Sequence, residues 1–325
     1  MKEKILIAVD CGKYATKAIL KHAGQEYIAY FRTKMQEVQE INMDLQPGSY
    51  YVKYNNKCYL IGAVVNEIYS SYDLTKELEL HKICTYTAIA QLLQKANLSP
   101  NNSSIHLAIN IPISSFKDNQ SKKRYLQFME NYNNPIMINV NNHPLYFTLE
   151  NTVTVFEGVG IVFHELKESK NANIVVIDIG GLNTTYCTFH DVSPDFDSMT
   201  VANLGTNILK GKVGKAINER FGISASANDC ERIIQMGHLT HAGRIVSDSH
   251  HIIEQLKEQH FNQIIEFAKS RDYTFNNVDI HFVGGGAQLL QSNIKKHFPH
   301  ARTIINPHYA NVKSFMRILE VKYGQ

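Results

Sequence analysis

The sequence predicts an α/β protein made of two duplicated α/β domains around an interdomain cleft. Three observations predict this. The chain has 325 residues, about twice a usual domain. Two segments, ILIAVDCGKYATKAIL and IVVIDIGGLNTTYCTF, share an apolar strand ending in aspartate, then x-Gly, a polar turn and a second strand-like run, about half a chain apart. A late strand, VDIHFV, runs into three glycines.

Composition supports a folded chain, with 44% apolar and 19% charged residues. The apolar run at 5–9 is too short for a signal-peptide core. No stretch approaches the roughly 18 consecutive apolar residues of a membrane span, so a cytoplasmic location is expected. Five cysteines without a Cys-x-x-Cys pair indicate neither a disulfide framework nor a zinc site. The 15 histidines, including His238, His241, His250 and His251, lack acidic or cysteine partners at zinc-site spacing. A net charge of +3 with scattered lysines gives no footprint for direct nucleic-acid binding.

The first hairpin reads as two strands with Asp10 at the tip. Residues 32 to 77 mix short tyrosine-rich strands (50–52, 57–61) with turns at Pro47-Gly48 and Asn55-Asn56, as a small subdomain would. From about 78 to 96, Leu80, Ile83, Cys84, Thr87, Leu92 and Leu93 recur at helical spacing, and Asn97 ends the run. IHLAINIP is a buried strand cut off by Pro112, and FTLENTVTVF alternates as a strand does. The first domain is therefore placed at 1–155, joined by a returning C-terminal helix at about 308–325.

The second domain is placed at 156–307, with a small subdomain at about 212–274. After its hairpin, Leu209, Val213 and Ile217 form an apolar helical stripe, with Gly222 as the C-cap. A second helix begins near Ser226. The longest helix is expected from about 250 to 271, with Ile253, Leu256, Ile264 and Phe267 on one face.

The tips carry the chemistry. A triphosphate with magnesium needs backbone N–H donors, little side-chain bulk and carboxylates that hold the ion directly or through water. Asp10 and Asp178 are expected to hold hydrated Mg²⁺ and to serve as catalytic carboxylates. Gly12, Gly180 and Gly181 would free the backbone to wrap the phosphates. Lys13, Thr16 and Lys17 belong to the same first tip, where Lys17 would offset phosphate charge. Asn183, Thr184 and Thr185 would add donors at the second. A lone Asp-x-Gly is usually a plain turn; two copies after buried strands, followed by Gly284-Gly285-Gly286, are not. Two other phosphate motifs fail: GTNILKGKV does not match a Walker A loop, and Cys11 to Thr16 do not match the Rossmann fingerprint.

In motif order over nearly its full length, the chain resembles the superfamily of actin, the sugar kinases and the large heat-shock chaperones. Within it, the chain is most similar to the bacterial actin-like plasmid-segregation proteins of the ParM type. The likeness rests on Asp10 to Lys17, on DIGGLNTT and on NPHYANVKSF. The chain departs from their patterns at Tyr14 and Ala15, where they have glycine and asparagine, and at Lys313-Ser314, where they have arginine and glycine.

The resemblance implies an actin-like fold that binds ATP/ADP with Mg²⁺, hydrolyses ATP and polymerises into filaments that segregate plasmid DNA. It implies that Glu157, at the start of the linking helix, orients the attacking water. It also implies that Gly205, Thr206, Asn207, Glu231 and Gly284, Gly285, Gly286 and Ala287 meet the nucleoside. Implied partners are other copies of the chain and an adaptor bound to a centromere-like plasmid site, with no direct sequence-specific DNA contact. The alternative within the same fold is a small-molecule kinase or a non-polymerising ATP-dependent regulator.

Overall fold

A computed structural model describes residues 3–40, 44–71, 76–100, 103–156, 172–191, 193–303 and 309–324. The chain divides into two units, Met1–His164 with Asn311–Gln325, and Glu165–Ala310.

The first unit begins with β1 (Glu3–Cys11), β2 (Ala15–His22), β3 (Gln25–Arg32), β4 (Met35–Val38), β5 (Ser49–Tyr54) and β6 (Lys57–Gly62). It continues with α1 (Glu79–Lys95), β7 (Ser103–Ile111), α2 (Ile113–Lys117), α3 (Asn119–Met129), β8 (Ile136–Val140), β9 (His143–Phe147) and β10 (Leu149–Phe156). The second unit holds β11 (Asn173–Ile179), β12 (Thr184–His190), β13 (Ser193–Ala202), α4 (Thr206–Phe221), α5 (Ala227–Met236), β14 (Leu239–His241) and β15 (Arg244–Val246). After these come α6 (Ser249–Lys269), β16 (Asp279–Val283), α7 (Gly285–Leu289), α8 (Gln291–His297) and β17 (Arg302–Thr303). Finally α9 (Ala310–Tyr323) packs into the first unit, where Lys21 pairs with Glu320 at 2.6 Å and the rings of His106 and Tyr323 meet.

Each unit is organised around one sheet of the same plan. In the first, the order β3-β2-β1-β7-β10 sets an antiparallel meander beside two parallel strands. In the second, β13-β12-β11-β16-β17 repeats it. The central strands β1 and β11 are buried on both faces, which is why they read as continuous apolar runs rather than alternating ones.

A second sheet in the first unit, β4-β6-β5-β8-β9, shares a core with the first sheet, and α1 is part of that core. Residues of α1 are buried almost all round, including Leu80, Ile83, Tyr86, Ile89 and Leu93. Its hairpins close on two-residue turns, Asn55-Asn56 and Asn141-Asn142, in which both residues have positive φ. Asparagine tolerates that region, and such turns match the twist of the strands they join.

Not all of this was expected. The strands β8 and β9 extend the small sheet with residues far beyond 77. Their signal is weak because β9 carries Pro144, which suits its place at the sheet edge. Helix α3 lacks an apolar stripe, burying only Tyr125 and Met129. In the second unit α4 ends on Gly222 at φ 65, as its sequence predicts, and α5 starts at a capping box between Ser226 and Asp229. Among the described residues, no helix is long and apolar enough to cross a membrane.

Candidate functional site: two acidic hairpins

Strand register decides what surrounds Asp10. In the β1–β2 ladder Asp10 pairs with Lys17, and Cys11 pairs with Thr16. Cross-strand partners share a face and successive residues alternate, so Asp10 and Lys17 lie on one face and Cys11 and Thr16 on the other. The Lys17 ammonium stands 3.9 Å from Oδ2 of Asp10. Thr16, one of the expected binding residues, lies on the face away from Asp10. Its hydroxyl is fully buried, 2.9 Å from that of Thr33 and 3.3 Å from the Cys11 sulfur. Burial pushes the Cys11 thiol up in pKa, so it is an un-ionised core group.

The Gly12 amide donates to the Ala15 carbonyl at 3.1 Å, closing the hairpin tip. Lys13 and Tyr14 form that tip and are half-buried. Arg32 lies over the Tyr14 ring at 3.8 Å, donates Nε to the Tyr14 carbonyl and pairs with Glu67 at 2.9 Å, so the tip is tied to the segment that follows β6.

Two residues that the sequence reading missed hold the base of this hairpin. Asn110 of β7 donates Nδ2 to Oδ1 of Asp10 at 2.6 Å and accepts from the Cys11 amide at 3.1 Å. Lys76, only 2% exposed, donates to the Cys11 carbonyl at 2.9 Å. The one available signal for Asn110 was a single amide in the apolar run that ends β7.

The second unit repeats the tip. Asp178 pairs with Thr185, and the Gly180 amide donates to the Asn183 carbonyl at 2.9 Å, in the place that Gly12 and Ala15 hold in the first unit. Gly180 is therefore also turned to closing its own hairpin. Gly181 and Asn183 are half-buried at the tip, and the Thr184 hydroxyl donates to the Leu204 carbonyl at 2.9 Å.

The start of α4 docks on this tip. The amides of Gly205, Thr206 and Asn207 donate to the carbonyls of Leu182, Gly180 and Gly181 at 3.1, 3.0 and 2.8 Å. Glycine is required at 205, because a Cβ there would lie 2.3 Å from the Leu182 carbonyl carbon. Those three amides brace the hairpin.

The glycine run closes the other side. Gly284 and Gly286 are buried against the end of β11, where a Cβ on Gly286 would lie 2.2 Å from Cγ2 of Ile179. Ala287 is buried in α7, and Gly285 is the partly exposed member of the four. Glu231 on α5 is held by Lys210 of α4 at 2.7 Å, a nearly buried lysine that sequence reasoning did not single out. The structure thus brings Asp178, Gly180, Gly181, Asn183, Gly205, Thr206, Asn207 and the Gly284 run together in the second unit, and Asp10, Gly12 and Lys17 together in the first. Glu157 lies outside the described residues.

A nearly buried carboxylate oxygen is a hard donor of the kind that holds magnesium directly or through water. Each unit places one carboxylate at its tip, Asp10 at 5% and Asp178 at 8% exposure. The described residues contain no cluster of three or more His, Cys, Asp or Glu able to cage a metal.

Residues 8–160 match the family model described as the N-terminal domain of actin-like proteins. No curated protein matches the sequence. Among solved structures, the whole structure of a 15-stranded ParM filament from Clostridium botulinum is 20% identical, with TM-score 0.77 over 97% of this chain and 99% of that one. The Alp12 filament structure is 24% identical, with TM-score 0.73 and 99% of both chains covered. An archaeal actin homologue, Ta0583, in complex with ADP is 16% identical, with TM-score 0.76 over 98% of this chain and 99% of that one.

Proposed function

We propose that this chain of actin-like fold binds and hydrolyses Mg-ATP and polymerises into filaments that segregate plasmid DNA. The observation that carries this reading is the repeated tip: an aspartate on a doubly buried strand, then a glycine whose amide closes onto the carbonyl three residues on, in both units. Support also comes from similar structures described as filaments and from one described as an ADP complex.

In this reading Asp10 and Asp178 hold the hydrated ion, and Lys17 offsets phosphate charge. Gly181 and Asn183 line the second tip, and Glu231, oriented by Lys210, accepts from ribose hydroxyls. Bound magnesium would supply charge neutralisation on the phosphate oxygens. Glu157 aligns water with the terminal phosphate and accepts its proton. Filament growth follows from nucleotide binding one conformation better than another, and hydrolysis shifts that balance back. Partners are further copies of the chain and an adaptor bound to a centromere-like DNA site.

The test is sedimentation and light scattering of the pure protein with Mg-ATP, Mg-ADP and no nucleotide. ATP is expected to drive pelleting that later reverses, and Glu157→Ala to pellet without reversing. ATP binding with no assembly across protein and salt concentration would overturn the filament reading and favour a kinase or regulator.

A further inference from the structure

We propose that Asn110 is a positioning residue that fixes the Asp10 carboxylate for the hydrated ion, an inference that rests on the Mg-nucleotide reading above. Parallel register sets Val9 beside Ile109, so Asn110 comes level with Asp10. Asn110 is fully buried, and its neighbours on β7 include Leu107, Ile109 and Ile111, all at most 1% exposed. A buried amide in such a strand is costly unless its donors and acceptors are used.

They are used on two consecutive residues of β1. Nδ2 donates 2.6 Å to Oδ1 of Asp10 and reaches the Cys11 carbonyl at 3.4 Å, while Oδ1 accepts the Cys11 amide at 3.1 Å. Only the amide orientation with nitrogen toward the carboxylate satisfies both ends, and a side chain that donates and accepts at this length must be asparagine-like. Tyr125 in turn donates its hydroxyl to the Asn110 carbonyl at 2.9 Å, anchoring the strand from α3. With Oδ1 held, the carboxylate plane is set and Oδ2, on the Lys17 side, is the oxygen assigned to the ion.

The second unit lacks this device at the matching position. There the register partner of Asp178 is Val283, followed directly by Gly284. The two aspartates are therefore not equivalent, and Asn110 tunes only the first.

Hydrogen-bond partners behind a metal-holding group typically change metal affinity by about 10–100-fold when removed. The experiment titrates Mg²⁺ against binding of a fluorescent ATP analogue, read by anisotropy, for the wild type and Asn110→Leu, with a parallel titration of nucleotide in EDTA. The expected result is that Asn110→Leu needs about 10–100-fold more Mg²⁺ for half-maximal binding, while affinity in EDTA stays within about twofold. If Asn110→Leu does not fold, Asn110→Ser, which is smaller and polar, is read by the same criteria. A folded variant with the wild-type Mg²⁺ requirement overturns the proposal. So does an equal loss with and without Mg²⁺, which would make Asn110 a strand-pairing residue only. A wild-type chain that binds no Mg-nucleotide at all overturns the underlying functional reading instead.

Discussion

A Cβ placed on Gly284 would stand 2.3 Å from Oδ1 of Asp178. The same glycine has φ 83 and ψ 169, a region that only glycine occupies without strain. Backbone and side-chain sterics therefore converge on one position, where the late strand meets the second acidic tip. Gly284→Ala is expected to lower stability by at least about 1–3 kcal/mol from backbone strain alone and to weaken Mg-nucleotide binding by displacing Asp178. Urea unfolding checks the first effect, and an unchanged midpoint would contradict it.

The Lys210–Glu231 pair offers a second test. Its lysine side chain is 9% exposed and its glutamate 26%, so solvent screens the pair only in part. Lys210→Met should cost about 1–2 kcal/mol, below the range for a fully buried pair broken on one side. A double-mutant cycle with Glu231→Gln measures the coupling. A coupling energy near zero would remove Lys210 from the site.

His260 predicts a pH dependence. It is fully buried on α6, with neither ring nitrogen hydrogen-bonded among the described residues. Burial, with a smaller contribution from nearby Lys212, lowers its pKa to about 4 from an ordinary 6.5. Because the folded value is depressed, the unfolded chain binds the proton first. Above pH 6.5 both folded and unfolded chains hold the neutral ring and this linkage is absent, and stability is lost progressively as pH falls from there toward 4. His260→Leu should therefore gain on the wild type by about 2 kcal/mol between pH 7.5 and pH 5. A stability difference that stays constant over that range would refute the assignment.

Glu258 should act lower on the scale. Burial works to raise its pKa, but hydrogen bonds from Lys296, Asn293 and His297 outweigh that and hold it at about 2. Its contribution is present above the ordinary carboxylate value and is lost as pH falls toward 2. The stability gap between wild type and Glu258→Gln should shrink over that interval in acid titrations followed by circular dichroism. A gap that does not narrow would mean the cluster is not formed.

Much of the architecture was legible because it rests on local signals. Apolar strands ending in Asp-x-Gly, the Gly222 terminus of α4 and the Asn55-Asn56 turn each follow from chain conformations that few residues favour. The strands β8 and β9 and the polar helix α3 escaped because one contains a proline and the other buries only two side chains.

The sequence by itself determined the two acidic hairpins, their order and the apolar cores beneath them, since these depend on neighbours within a few residues. Tertiary structure alone decided the rest. It turned Thr16 into the core opposite Asp10, committed the amides of Gly205, Thr206 and Asn207 to the second hairpin, and brought Asn110 to Asp10 across 100 residues and Lys76 to Cys11 across 65. The reason is register: which face a strand residue takes, and which distant side chain stands beside it, is set by the pairing of strands and not by any local preference of the chain.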